Sequence, residues 1–172
     1  MRVLLIAALL LVTGCGTPPP AAPAGLSATD LAFVDLVIPQ NESALAALAL
    51  TNRPGSALRP VAAQVEDRYR DELAQVRELL ARTGRQESDQ HEGHDMPGMI
   101  TAAELAAAGF AEGAAFDQQL TGLLRTQFEE ARTVARAELS SGTNKQVLEL
   151  GARIDSTRAE FLALLGDAPK SP

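Results

Sequence analysis

Residues 56–82, SALRPVAAQVEDRYRDELAQVRELLAR, decide the fold class of this chain. Apolar side chains recur along the stretch at intervals of three and four residues, at Leu58, Val61, Val65, Tyr69, Leu73, Val76 and Leu80. This spacing places them on one face of an α-helix, and Gly84 follows as a stop signal. The stretch therefore predicts a long amphipathic helix that must bury its apolar face against other helices.

Three further stretches carry the same helical pattern. The first covers residues 29–50, after an N-cap signal at Ser27. The second covers residues 113–140, and the third starts at a capping-box pattern, Thr143 to Gln146, and stops at Gly166. A shorter helix is predicted to begin at another capping box, Thr101 to Glu104.

These helices predict one all-α domain, residues 27–168, built as a four-helix bundle. Two helical hairpins are separated by a longer crossover at about residues 84–112. Aromatic residues make up 3% of the chain and Trp is absent, so Leu, Val, Ile and Ala must fill the core. That composition suits helices better than a β-sandwich or barrel.

The N-terminus has the three-part layout of a secretory signal. Met1 and Arg2 precede an apolar run that is too short to cross a bilayer, and small residues lead to Cys15. Residues 12–15, VTGC, resemble the bacterial lipobox, which implies a signal peptide over 1–14 and a lipidated Cys15. A Pro-rich tether over 15–26 would then hold an extracytoplasmic domain at the membrane. The alternative is a lone buried cysteine after an ordinary signal peptide.

Charge and motifs exclude several classes of function. The net charge of −7 argues against nucleic acid as a partner, because nucleic-acid binding needs a basic face. The chain has no Gly-rich phosphate loop, no Gly-x-Ser-x-Gly elbow and no His-Glu-x-x-His motif. We therefore predict no catalytic residues and no enzyme activity.

The two halves of the domain look like a duplication. Residues 37–44, VIPQNESA, and 124–131, LRTQFEEA, have related spacing, and each is followed by a helix, with YRDEL at 69–73 and TRAEF at 157–161. This arrangement resembles the secreted bacterial family called domain of unknown function 305, in which each copy reads roughly Met-Ile-Pro-His-His-Gln-x-Ala. The crossover segments GHDMPGM (93–99) and TAAEL (101–105) are also similar to the family. The resemblance implies a ferritin-like bundle.

This chain departs from the family at the paired histidines. Gln40 and Asn41 replace one pair, and Gln127 and Phe128 replace the other. If the family's histidines bind metal inside the bundle, the resemblance implies that this member has lost most of that site. Amide side chains are weak ligands for transition metals beside imidazole.

The segment HEGHDMPGM, residues 91–99, is the leading candidate for a metal site. It contains both histidines of the chain and two of its three methionines, so the candidate ligands are His91, His94, Asp95, Met96 and Met99. Imidazole suits copper, zinc and nickel, while thioether sulfur favours Cu(I). The alternative is a solvated crossover whose methionines pack on the bundle.

A second candidate is a polar cluster inside the bundle. Glu72 and Gln127 fall within the apolar faces of their helices, and Asn41 is in heptad register with Val34 and Leu48. We include Glu42 beside Asn41 in this cluster. The cluster is either the remnant of a ligand pocket or a hydrogen-bonded set that fixes helix register.

The sequence therefore favours a membrane-anchored extracytoplasmic lipoprotein that binds or buffers copper without catalysis. The rival hypothesis is a metal-free helical module that binds an envelope protein. A weaker third hypothesis is a redox enzyme with a bound metal.

Overall fold

The computed structural model describes residues 25–88, 91, 94 and 96–167, and these residues form an all-α fold. The described residues contain no β-strand; their five helices are α1 (Ala28–Ala49), α2 (Arg59–Arg82), α3 (Ala102–Phe110), α4 (Gly113–Ser141) and α5 (Lys145–Asp167). A 3-10 turn, Leu50–Asn52, follows α1. The predicted all-α class, the four long helices and the short helix after Thr101 are confirmed.

Helices α1 and α3 begin with capping boxes at the predicted positions. The Asp30 amide donates to Ser27 Oγ at 3.2 Å, and the Ser27 amide donates back to Asp30 Oδ2 at 2.6 Å. Thr101 and Glu104 exchange the same pair of bonds at the start of α3. Each box satisfies backbone donors that the first helical turn leaves without a partner.

The residue that caps the start of helix α5 lies one position later than predicted. The Asn144 side chain, rather than Thr143, accepts from the amides of Gln146 and Val147, at 3.0 and 3.3 Å. Thr143 does not serve as the cap because its amide and hydroxyl both donate to Asp30. The prediction of a helix start here is confirmed, but the capping residue was wrongly predicted.

The long helices pack as two hairpins, with α2 on α1 and α5 on α4, and α1 also packs on α4 and α2 on α5. Two apolar clusters fill the space between them. One cluster lies around Leu48, Val65 and Leu120, and the other around Val34, Val76 and Ile154. Both hairpins contribute to both clusters, so neither hairpin has a separate core.

Helix α1 is an apolar helix of the core. By length and composition Ala28–Asn52 could cross a membrane, but half of that apolar window is buried within the fold, as core helices are. Pro39 lies inside α1 and removes one backbone donor, yet the helix continues through it. Burial of the flanking residues, Ile38 and Gln40, accounts for this, because tertiary packing stabilises helices more than propensity does.

Arg53 fixes the short helix α3 to the hairpins. Its guanidinium donates to the carbonyls of Ala111 and Gly109, at 2.6 and 3.0 Å, and lies 3.8 Å from the ring centre of Phe116. Free carbonyls at the end of α3 thus gain a cationic partner. The crossover is consequently attached to the fold at its C-terminal end.

Candidate functional site

A buried ion pair between α2 and α5 is the most unusual polar feature of the core. Arg158 donates to both carboxylate oxygens of Glu72, at 2.8 and 2.6 Å. The exposed fraction is 0% for Arg158 and 2% for Glu72. Taking two charges out of water is unfavourable, so such a pair needs close geometry and further hydrogen bonds to its polar atoms.

Asn41 and Thr157 make further hydrogen bonds to this pair. Asn41 accepts from Arg158 at 2.9 Å and donates to Glu72 at 2.9 Å, so its amide is oriented by both partners. Arg158 also donates to the Thr157 hydroxyl at 3.2 Å. Asn41, Glu72, Thr157 and Arg158, together with Tyr69 and Gln127, are called the core network below. They come from α1, α2, α4 and α5.

Aromatic rings cover the Arg158 guanidinium. It stacks 3.8 Å from the centre of the Tyr69 ring and lies 5.6 Å from that of Phe161. Burial alone would lower the pKa of Arg158, but Tyr69 and Glu72 outweigh that effect and raise it. The guanidinium is therefore charged at every physiological pH.

Tyr69 links the ion pair to Gln127. Its hydroxyl donates to the Gln127 side-chain oxygen, and burial raises the pKa of Tyr69 far above its usual value. Gln127 Nε2 and Arg158 Nε are buried and have no hydrogen-bond partner among the described residues. Since the phenol is neutral and the carboxylate of Glu72 is neutralised by Arg158, the core network offers no free base or nucleophile.

The structure brings together most of the polar cluster expected from the sequence. Asn41 and Glu72 bond directly, and Gln127 joins them through Tyr69. Glu42 was wrongly placed in the cluster: it is exposed and pairs with Arg77 at 2.6 Å. One residue along a helix turns the side chain by about 100°, so Glu42 cannot share the inward direction of Asn41.

Arg158 was not among the residues predicted from the sequence. It follows Ile154 by four residues and precedes Phe161 by three, so it occupies the apolar face of α5. That register was the available signal. It was overlooked because a long charged side chain is almost never fully buried unless it is paired.

Four of the five candidate metal ligands, His91, His94, Met96 and Met99, lie at the ends of two hydrogen-bonded turns. The His94 amide donates to the His91 carbonyl at 3.2 Å, and the Met99 amide donates to the Met96 carbonyl at 3.0 Å. His94 is exposed, whereas the other three side chains are half-buried. Asp95 lies outside the described residues, as does Cys15.

The second of these turns is fixed on the fold. Gln40 donates to the Pro97 carbonyl at 2.6 Å, the Ile100 amide donates to Ser43 Oγ at 3.1 Å, and the Gly98 amide donates to Glu130. Gly98 has φ +76°, and a Cβ there would lie 2.7 Å from Gln40 Nε2. The crossover therefore needs glycine at this position.

No three His, Cys, Asp or Glu side chains converge as a metal site within residues 25–88, 91, 94 and 96–167. Among these residues, a complete ligand set for a metal on the crossover would have to combine the two histidines with the thioether sulfurs of Met96 and Met99. Such a mixed nitrogen and sulfur set is chemically suited to copper.

Comparisons with known proteins agree on one family. A family model described as "Domain of unknown function (DUF305)" matches residues 30–166. The fold is similar to a DUF305 fragment from Deinococcus radiodurans, with a TM-score of 0.74 and 19% identity over 84% of this chain and 97% of that one.

It is also similar to a DUF305 protein from Streptomyces coelicolor that is predicted to be secreted. That match has a TM-score of 0.71 and 15% identity, over 81% of this chain and 90% of that one. Identities this low show the fold alone, and no curated protein matches the sequence significantly. The family match covers well over half of the sequence, and the chain therefore belongs to the DUF305 family.

Proposed function

We propose that this DUF305 protein is a lipid-anchored, extracytoplasmic protein that binds copper without catalysing a reaction. The observation that carries the proposal is the placement of His91, His94, Met96 and Met99 in two adjacent hydrogen-bonded turns. Two imidazoles and two thioethers within nine residues can approach one ion. Thioether sulfur favours Cu(I), and imidazole accepts either oxidation state.

The attachment of the second turn supports binding rather than chance composition. Three hydrogen bonds, from Gln40, to Ser43 and to Glu130, fix the backbone between Pro97 and Ile100. Fixing a ligand-bearing segment before binding reduces the entropy lost when a metal orders it.

The core network argues against a metal inside the bundle. Arg158 already supplies a buried cation at the centre of the four long helices, and its neighbours are bonded to it. We propose that the fold is a ferritin-like four-helix bundle whose interior is closed by this ion pair. A metal ion would then bind at the crossover and not inside the bundle.

The extracytoplasmic location rests on the signal-like N-terminus and Cys15. The Streptomyces coelicolor relative that is predicted to be secreted supports it. In an oxidising compartment free thiols are scarce, so His and Met are the natural ligands for a soft metal. Cys15 would carry acyl chains, and residues 16–25 would separate the domain from the membrane surface.

The test is a titration of the purified full chain with Cu(I), Cu(II) and Zn(II). Calorimetry and competition with a chelator measure the binding. A His91→Ala/His94→Ala variant should lose tight copper binding, and Met96→Leu/Met99→Leu should weaken Cu(I) more than Cu(II). Arg85→Ala/Gln86→Ala, in the same crossover, is the matched control and should bind normally. Equal weak binding by all four proteins would reject the copper proposal.

A second candidate function is a metal-free interaction module. The observation in its favour is Phe110, which is 89% exposed at the end of α3, beside the exposed Ala106 and Ala107. An exposed aromatic next to small apolar residues is typical of a contact surface. Crosslinking in cell envelopes should then capture a partner that Phe110→Ser loses and that the His91→Ala/His94→Ala variant retains.

A further inference from the structure

Two buried carboxyl groups meet where α1 begins and α4 ends. Glu138 lies in the last turn of α4 and has an exposed fraction of 1%. Neither of its carboxylate oxygens accepts a hydrogen bond from any group among the described residues. A buried carboxylate without a donor is strongly disfavoured, so this side chain needs an explanation.

Asp30 binds the same α4–α5 turn that the Glu138 carboxyl group overlies, and unlike Glu138 it has several hydrogen-bond donors. Asp30 accepts from the amides of Ser27, Thr143 and Asn144, at 2.6, 3.0 and 3.1 Å, and from the Thr143 hydroxyl at 3.2 Å. Burial alone would raise the pKa of Asp30, but these bonds outweigh it and hold the pKa well below the usual range. Asp30 therefore remains a carboxylate.

We propose that Glu138 is a neutral carboxylic acid that donates a hydrogen bond to Asp30, and that its ionisation loosens the contact between α1 and the α4–α5 turn. Two adjacent carboxyl groups cannot both be charged at low energetic cost, and Asp30 already has the donors. The proton therefore resides on Glu138. This inference is independent of the proposed metal binding.

The surroundings of Glu138 favour its neutral form, because no described group donates a hydrogen bond to its carboxyl group. On α4, the Glu138 carbonyl accepts from the Gly142 amide at 2.6 Å, near the negative end of the helix dipole. On the α5 side, Gly151 faces the Glu138 side chain, and a Cβ there would lie 3.5 Å from Cγ. Desolvation and then Asp30 raise the pKa of Glu138 to about 7, from an ordinary value of 4.5.

Glycine at position 142 is required for this arrangement. A Cβ on Gly142 would overlap the Glu138 carboxyl group, which folds back over the α4–α5 turn. The same turn supplies the Thr143 and Asn144 amides that bind Asp30. Ser27, Asp30, Glu138, Gly142, Thr143 and Asn144 thus form one unit, called the N-terminal junction below. It adjoins the predicted tether.

The pH dependence follows from linkage. Between pH 4.5 and about 7 the unfolded chain has lost the Glu138 proton while the folded chain keeps it. Stability contributed by this group is therefore greatest at low pH and falls as the pH rises through this window. The unfolding constant should increase by about tenfold per pH unit on account of this one proton. Above pH 7 the effect is constant.

The primary test is carbon-13 NMR of the full chain with labelled glutamate carboxyl groups. One signal should titrate near pH 7, and Asp30→Asn should shift its midpoint downwards because a like charge is removed. Hydrogen exchange of the Thr143 and Asn144 amides should increase beyond its intrinsic pH dependence as that signal titrates. The proposal is overturned if every glutamate titrates below pH 5.5.

A matched pair of variants gives a second readout. Glu138→Gln keeps a neutral donor towards Asp30, so its unfolding constant should lack the steep rise between pH 5 and 7. At pH 8 it should be more stable than the unaltered protein. Glu129→Gln, an exposed position on the same helix, should keep the rise. An identical pH profile for both variants would also overturn the proposal, and the NMR titration decides it if Glu138→Gln does not fold.

Discussion

Arg158 and Glu72 join the two hairpins through a doubly bonded ion pair that is closed to solvent, with N–O distances of 2.8 and 2.6 Å. Their helices, α5 and α2, belong to different halves of the chain. The pair lies where the two apolar clusters meet, since Tyr69 and Phe161 belong to one cluster and Leu73 and Ile154 to the other. It therefore fixes how the hairpins align as well as how firmly they associate.

Removing one member of this pair should destabilise the fold severely. Arg158→Met leaves the Glu72 carboxylate buried and unpaired, and Glu72→Met leaves the guanidinium in the same state. We expect each to lower the free energy of unfolding by about 3–5 kcal/mol. Urea denaturation monitored by circular dichroism measures the change.

The Glu72→Met/Arg158→Met double variant separates charge from packing. With both charges gone, the loss should be smaller than for either single variant, because no buried charge is left unpaired. Strictly additive losses would contradict this expectation, because they would mean that the two bonded side chains contribute to stability independently.

Tyr69→Phe tests the bond to Gln127. The hydroxyl is the partner that the structure gives the Gln127 side chain, so its removal leaves the whole buried amide unbonded. We expect a loss of about 1–3 kcal/mol. Adding Gln127→Leu to Tyr69→Phe should recover most of it, because the unbonded amide is then absent. Thermal unfolding of the three variants provides the comparison.

Gly98→Ala should detach the crossover without unfolding the core. Gly98 has φ +76°, and a Cβ would crowd the Gln40 side chain that bonds Pro97. Faster hydrogen exchange at the Gly98-to-Ile100 amides and weaker copper binding are the expected results. Gly109→Ala is the control: it lies in α3, has open space around it, and should stabilise the helix by up to about 1 kcal/mol. Equal exchange in both variants would contradict the requirement for glycine.

Asp30 should make the protein sensitive to acid. Its pKa is held below the ordinary 3.8, so its contribution to stability is complete above pH 4 and is lost as the pH falls further. Asp30→Ala should be about 2–3 kcal/mol less stable at neutral pH, because hydrogen bonds to a charged acceptor are lost. The difference from the unaltered protein should shrink below pH 4. A difference that stays constant down to pH 2 would contradict this account.

Periodicity was sufficient to predict the helices but not the charged residues within the core. Apolar spacing located α2 and α4 to within a few residues, an N-cap signal located the start of α1, and a capping box located the start of α3. Arg158 and Glu138 also occupy core register, four residues after Ile154 and three after Ala135. A prediction from apolar spacing does not include charged residues in the core. Their burial depends on partners from other helices, which local spacing does not reveal.

The same limit explains the uneven result for the polar cluster. Glu72 and Gln127 were found because each stands among apolar residues on its own helix. Asn41 was found by its heptad register with Val34 and Leu48, but the helical wheel near Pro39 did not exclude its neighbour Glu42. Contacts between segments far apart in sequence, such as Asp30 with Thr143, are not encoded in any local pattern.

Both hairpins contribute to both apolar clusters, and this determines what happens when the backbone is cleaved between the hairpins. Residues 85–88 are exposed and lie outside the helices, so a protease such as trypsin can reach the bond after Arg85. Neither product would carry a complete core. A chain nicked there would persist as a heterodimer of fragments, with a melting temperature that depends on protein concentration.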